Sequence, residues 1–422
     1  MVHILHVVHQ YLPEYIGGTE LYTNWLVAGL RRQNHNVSVV YRREGSGDTV
    51  VPRTDTDDAK IWAISTGQIT PRSRFLATFA DAQVQQSFAQ IIDQTQPHVV
   101  HIQHLMGLPV SVVEYLQTEK IPYVITLHDF WWICANAQLF TNYDQTICDG
   151  PRAYVNCARC AVARAGHPNF WPAIPALAPL LARRNNLLRS VLANAVCLIS
   201  PSQFVADWYV NQGIPKSTLR VVPHAIPLPD KLPPRVPLHN RPFRFGYIGG
   251  LSHQKGVHIL LEAFAKLQPN AELWIAGDKD AEPEYVKGLD DQATDNVRFL
   301  GRLSRQQVWE TLAQVDVIVV PTLWYESFSL IISEAHAMGV PVIASKLGPI
   351  TDRIQVGVNG LFVPAGDVDA LQKAMTKCMV DPILMQTAEG RQTGQGAMDG
   401  HTANILDIYE TALTQIKRLE ER

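Results

Sequence analysis

At 422 residues the chain is longer than one ordinary hydrophobic core and predicts about two domains. Apolar residues make up 46% and charged residues 18%, a globular balance, and a net charge of -3 excludes the basic excess that marks a nucleic-acid binder, so acidic ligands must be met by local groups. The opening stretch Met1-Val-His-Ile-Leu-His-Val-Val-His9 lacks a basic leader and reads as a buried strand, so neither a signal peptide nor a membrane span is expected, and a cytoplasmic location is.

Strand-like runs at residues 2–8, 37–41, 99–103, 123–126 and 196–199 alternate with helical stretches, the pattern of a parallel α/β sheet. Ile16-Gly17-Gly18-Thr19-Glu20 follows the first strand and opens a helix with apolar Leu21, Trp25, Leu26 and Leu30. Adjacent glycines let a backbone approach a ligand closely; Thr19 reads equally as a helix cap. His98, His101 and His104 alternate strand faces and read as structural, His104 nearest the cleft. His128 ends the fourth strand, ahead of Phe130-Trp-Trp132, and by itself reads as a satisfied core histidine. Cys134, Cys148, Cys157 and Cys160 crowd one segment; they suit a structural zinc, free thiols or a redox role, whereas Cys197 and Cys378 sit in apolar runs typical of buried thiols. Residues 170–181 are strongly apolar, but Pro172, Pro175 and Pro179 prevent a spanning helix. With Arg183, Arg184 and Arg189 following, the segment reads as a core-packing loop and helix, or as a peripheral attachment to the inner face of a membrane.

Prolines at 227, 229, 233, 234, 237 and 242 then interrupt the pattern, which restarts with strands at 243–248, 273–276, 297–300, 315–320 and 340–344. The expected domains are 1–225 and 243–402, joined by a linker at 226–242, with a final helix within 403–422 packing back on the first domain. Gly249-Gly-Leu-Ser-His-Gln-Lys-Gly256 lies between a strand and a helix, where Lys255 reaches a diphosphate; a lone glycine-rich loop is a weak signal. The βαβ unit at 315–345 is more telling. Glu326 falls in the loop beyond a strand's carboxyl end, where open α/β sheets bind ligands, and Glu334 lies in the following helix. The backbone N–H groups around Phe328, Ser329 and Leu330 start that helix and make a seat for phosphate.

This stretch, and with it nearly the whole chain, resembles glycosyltransferase family 4, retaining nucleotide-sugar transferases of the GT-B fold. The resemblance implies an α/β protein of two Rossmann-like domains whose parallel sheets face a central cleft. It implies transfer of a sugar from a nucleoside diphosphate sugar to an acceptor hydroxyl, with no catalytic metal. Glu326 then addresses the donor sugar and Glu334 the ribose diol, two acceptor oxygens for two adjacent hydroxyls. His128 lies beside the transferring sugar, and Gly17, Gly18, Gly249, Lys255, Phe328, Ser329 and Leu330 complete the donor site. Acceptors are glycans, lipid-linked or small molecules, in polysaccharide or glycoconjugate biosynthesis. Two departures stand out: Gly250 occupies the place of the family's second phosphate-binding cation, and Pro223-His224-Ala225 replaces Asn-Gly after proline. They keep a silent nucleotide-sugar-binding protein open, beside an epimerase or phosphorylase on the same fold. A dinucleotide oxidoreductase is disfavoured, because no glycine fingerprint follows the first strand. The Asp55-Thr-Asp57 and Asp278-Lys-Asp280 sequences mimic the metal clamp of GT-A enzymes but read as acidic turns.

Overall fold

The computed structural model describes residues 1–45, 51–55, 58–239, 241–267, 270–381 and 395–420. The chain divides into two compact units, one of Met1–Ala137, Gly150–Ala225 and Gly396–Arg422, the other of Gln138–Asp149 and Ile226–Gln395. No composition signal marks the excursion Gln138–Asp149, which groups with the second unit although its flanks belong to the first.

In the first unit, strands β1 (His3–Val8), β2 (Asn36–Glu44), β3 (Val51–Thr54), β4 (Lys60–Thr66), β5 (Val99–Ile102), β6 (Tyr123–Thr126), β7 (Cys197–Ser200) and β8 (Leu219–Val221) form one sheet in the order β3-β4-β2-β1-β5-β6-β7-β8. Every pairing is parallel except β3 with β4. Its helices are α1 (Gly18–Arg32), α2 (Pro71–Ala77), α3 (Ala82–Thr95), α4 (Ser111–Thr118), α5 (Val155–Arg164), α6 (Ile174–Asn194), α7 (Gln203–Asn211) and the C-terminal helix Gln395–Glu420. The last buries Ile405, Ile408 and Tyr409, and the Tyr409 hydroxyl meets His101 Nδ1 of β5 at 2.6 Å. The β3–β4 hairpin was not among the expected strands, although Ile61-Trp62-Ala63-Ile64 carries a β-prone apolar run and is buried.

In the second unit, β9 (Phe243–Ile248), β10 (Ala271–Ala276), β11 (Val297–Gly301), β12 (Val317–Val320), β13 (Val342–Ser345) and β14 (Gly360–Val363) form an all-parallel sheet ordered β11-β10-β9-β12-β13-β14. Helices α8 (Val257–Ala265), α9 (Pro283–Gln292), α10 (Arg305–Leu312), α11 (Leu330–Ala337) and α12 (Val368–Val380) connect the strands. All four residues of β12 are buried, as expected of a strand covered on both faces. The core gathers Phe245 and Tyr247 of β9, Leu273 and Ile275 of β10, and Leu260, Leu261 and Phe264 of α8.

Both sheets reverse their strand order beside their first strand, between β1 and β5 and between β9 and β12. Such a switch point sends neighbouring loops apart and leaves a ligand crevice at the carboxyl ends. The glycine-containing loops 9–17 and 249–256 therefore open next to the loops that follow β5 and β12.

Candidate active site

In the second unit the switch point brings Lys255 and Glu326 together. Lys255 Nζ lies 2.7 Å from Glu326 Oε1 and 5.1 Å from the centre of the Trp324 ring. The loops are stitched by Leu323 N–H and the Thr322 hydroxyl, which both donate to the Gln254 carbonyl. Gly256 turns the chain into α8 with φ +71°, the left-handed region that favours glycine, and an added Cβ would collide with the Pro321 carbonyl. The Tyr247 hydroxyl donates to the Gly250 carbonyl at 2.6 Å and holds the loop beside Gly249. A side chain at Gly250 would enter open space, so the missing cation leaves room rather than a repacked wall.

Ser329 is the N-cap of α11, whose N-terminus receives no side-chain cap and has no acidic residue in its first turn. Arg353, which the sequence reading missed, reaches this end from beyond β13. Its guanidinium stacks 3.9 Å from the Phe328 ring centre and donates to the Ser329 carbonyl at 2.9 Å and to the Ser333 hydroxyl. Burial pulls its pKa down to about 10, opposed by the Glu326 charge, so it stays a cation at neutral pH. Glu334, one turn into α11, is only 3% exposed; Arg305 Nη2 of α10 sits 2.6 Å from its Oε1. Burial raises the Glu334 pKa and Arg305 works against that shift.

In the first unit His128 follows β6 and is buried. Its Nε2 meets Gln103 Oε1 at 2.7 Å, and Gln103 Nε2 meets His6 Nδ1 at 3.1 Å. Burial pushes the His128 pKa down to about 3, which keeps the imidazole neutral at physiological pH. Beside it, His104 Nε2 lies 3.2 Å from Asp129, the His104 and His9 rings are 4.5 Å apart, and His9 reaches the buried Glu20 at 3.5 Å. The carboxyl ends of β1, β5 and β6 thus carry a connected polar cluster where the sequence suggested single histidines. His101 is structural as expected, held by Tyr409 and by Thr126 at 2.7 Å, and His98 accepts the His3 backbone N–H. Gly17 is the N-cap of α1 and Gly18 its first residue; Thr19 lies inside the helix and is not the cap. His224, at the second departure from the family pattern, stacks 3.9 Å from the Tyr22 ring.

Cys134, Cys148, Cys157 and Cys160 are partly exposed, and Cys148 groups with the second unit whereas the other three belong to the first. Among the described residues no group of three or more His, Cys, Asp or Glu is placed to hold a metal ion, which gives the zinc expectation no support. Asp280 N–H donates to Asp278 Oδ1 at 3.0 Å and Ala59 N–H to Asp55 Oδ1 at 2.8 Å, both local turn contacts; Asp57 lies outside the described residues. Among the described residues no helix is long and apolar enough to cross a membrane.

Two Rossmann-like domains built on largely parallel sheets are the architecture of the GT-B fold. The fold is shared with a sucrose-phosphate synthase from Thermosynechococcus elongatus (TM-score 0.70, 19% identity, covering 100% of this chain and 98% of that one). It is also shared with Anabaena Alr3699/HepE in complex with UDP and glucose (TM-score 0.63, 18% identity, 100% of both chains). In sequence, an uncharacterized 42.6 kDa protein in the cps region of Klebsiella pneumoniae is 23% identical over 377 residues, 86% of this chain and 90% of that protein. Residues 16–229 match the profile of Glycosyltransferase Family 4 and residues 242–381 that of Glycosyl transferases group 1; the chain belongs to glycosyltransferase family 4.

Proposed function

We propose that this glycosyltransferase moves a sugar from a nucleoside diphosphate sugar to an acceptor hydroxyl with retention of anomeric configuration and without a catalytic metal. The observation that carries the reading is the Lys255–Glu326 pair beside the uncapped N-terminus of α11. Lys255, Arg353 and the helix N–H groups together supply the positive charge a diphosphate leaving group needs, the task a metal would otherwise perform. Phe328, Ser329 and Leu330 shape that seat, Gly249 and the Gly17-Gly18 turn allow close backbone approach, Glu326 accepts from the sugar hydroxyls, and Glu334 accepts from the ribose diol. As the anomeric bond to the diphosphate oxygen breaks, the freed phosphate oxygen takes the acceptor's proton, and the new bond forms on the same face. His128 stands beside the sugar as a neutral hydrogen-bonding group; an imidazolium there would oppose the positive charge that builds at the anomeric carbon. HepE, of the same fold, is seen with UDP-glucose, which favours a uridine nucleotide as the first donor to try. Family membership favours transfer over the epimerase, phosphorylase and silent-binder readings. We place the enzyme in the cytoplasm, acting on a glycan, lipid-linked or small-molecule acceptor.

A thermal-shift screen with UDP-, GDP- and ADP-sugars tests donor recognition. The cognate donor at about a hundred times its dissociation constant stabilises the protein by about 2.7 kcal/mol and raises the Tm. No shift with any of the three at saturating concentration contradicts the reading.

A further inference from the structure

Charge is distributed unevenly along this chain. Between Asp149 and Asp207 there is no Asp, Glu or Lys but six arginines, in a protein whose net charge is -3. This stretch contains α5, a short 3-10 turn (Trp171–Ala173) and α6. The two helices close a small satellite core through Ala158, Ile174 and Leu181. Pro175 falls in the first turn of α6, where its missing N–H costs nothing, and Pro179 is tolerated inside the helix.

The connection between the helices adds no residue to that core, and every residue from 164 to 172 is exposed. At its end Phe170 is 56% and Trp171 54% exposed, and Val155 on α5 is 47% exposed. The segment was expected either to pack as a loop and helix on a core or to attach peripherally to a membrane; Ile174 and Leu181 pack on a core, and the aromatic pair does not. Two of the arginines are consumed internally: Arg184 is buried against the Trp131 carbonyl at 2.8 Å, and Arg189 donates to the Gln212 carbonyl at 2.8 Å. Of the rest, Arg152, Arg164 and Arg183 are exposed, with Arg164 donating to Asn136 Oδ1 at 2.6 Å and Arg183 lying 5.8 Å from the Phe79 ring centre, and Arg159 lies 5.2 Å from the Trp171 ring centre.

We propose that the α5–α6 hairpin docks this protein on an anionic lipid bilayer, with Phe170 and Trp171 entering the headgroup region and the surrounding arginines meeting lipid phosphates. The inference goes beyond the transfer reaction and does not rest on it. Three features select a bilayer. Tryptophan and phenylalanine beside arginine are the pairing that sits stably at a membrane–water interface, apolar body inward and charge at headgroup depth. The complete lack of acidic side chains over the stretch removes the repulsion an anionic surface would otherwise exert. The two aromatics are adjacent and exposed at one short turn between two helices, which suits insertion into a soft surface and not the tracking of a nucleic-acid strand.

Sedimentation of the full-length protein with phosphatidylcholine vesicles, with and without phosphatidylglycerol, tests this. Binding is expected with phosphatidylglycerol, weak without it, and weakened by salt. Each arginine near the surface contributes about five-fold, so Arg164→Gln with Arg183→Gln lowers binding roughly twenty-five-fold. Phe170→Ala with Trp171→Ala lowers it by about ten-fold or more while circular dichroism and Tm stay unchanged. Brominated lipid is expected to quench tryptophan fluorescence in the wild type and not in Trp171→Phe. No binding to phosphatidylglycerol vesicles, or binding untouched by both pairs of substitutions, overturns the proposal. So does equal binding to heparin that ignores the aromatic pair, which would mark a general polyanion surface.

Discussion

His128→Ala is expected to lower kcat by about 10²–10³-fold while changing the donor dissociation constant less than about three-fold, the size seen when one preorganised hydrogen-bonding group is removed from a transition state. Glu326→Ala should behave likewise, since both side chains are assigned to the sugar and not to the nucleotide. The physical reason is differential: a contact that strengthens as charge develops at the anomeric carbon alters turnover, and one made equally in the ground state alters affinity. Because burial holds the His128 pKa near 3, the pH profile of kcat should show no histidine titration from this residue between about pH 5 and 8. Steady-state kinetics joined to calorimetric donor titration check both points. A mutant whose entire defect lies in donor affinity would move His128 to the nucleotide.

The second large effect is expected at Glu334. Replacing it by alanine removes the carboxylate assigned to the ribose diol, and charged hydrogen bonds of this kind are worth about 1.5–3 kcal/mol, so affinity for the nucleoside diphosphate should fall roughly ten- to a hundred-fold. Arg305, its partner at 2.6 Å, is partly exposed and can turn to solvent, so the fold should survive the loss. Calorimetry with the nucleoside diphosphate alone isolates the term. An unchanged dissociation constant, with only the Tm lowered, would reduce Glu334 to a structural partner of Arg305.

The parallel sheets and the loops at their carboxyl ends were legible in the sequence because buried strands such as Val317–Val320 are uninterrupted β-branched runs, and the residues that follow them are fixed by chain order alone. Chain order alone put Lys255 and Glu326 in loops at strand ends; the roles expected of Glu326, Glu334, Lys255 and His128 came from the resemblance to glycosyltransferase family 4. What the sequence did not show is how distant loops meet. Arg353 lies well beyond Phe328 in the chain; only the β12–β13 adjacency lays its guanidinium on Phe328 and the start of α11. Gln103 looked like the last residue of a strand, yet the β5–β6 pairing makes it the hydrogen-bond partner of His128. The histidines could be read from the sequence only one at a time. A count of fifteen spread through the chain gives no hint that His6, His9, His101, His104 and His128 converge where β1, β5 and β6 end. For the cysteine segment, closeness in sequence suggested a ligand set, and among the described residues no group of three or more His, Cys, Asp or Glu is placed to hold a metal ion.

The central claim, a retaining transfer whose charge is handled by Lys255, Arg353 and the α11 N-terminus, is tested most directly by the product formed from an anomerically defined nucleotide sugar in excess chelator. Proton NMR of that product should show the donor's own anomeric configuration, at a rate equal to that without chelator, in protein shown by circular dichroism to remain folded. An inverted product, or activity abolished by chelator and restored by magnesium or manganese, would contradict it.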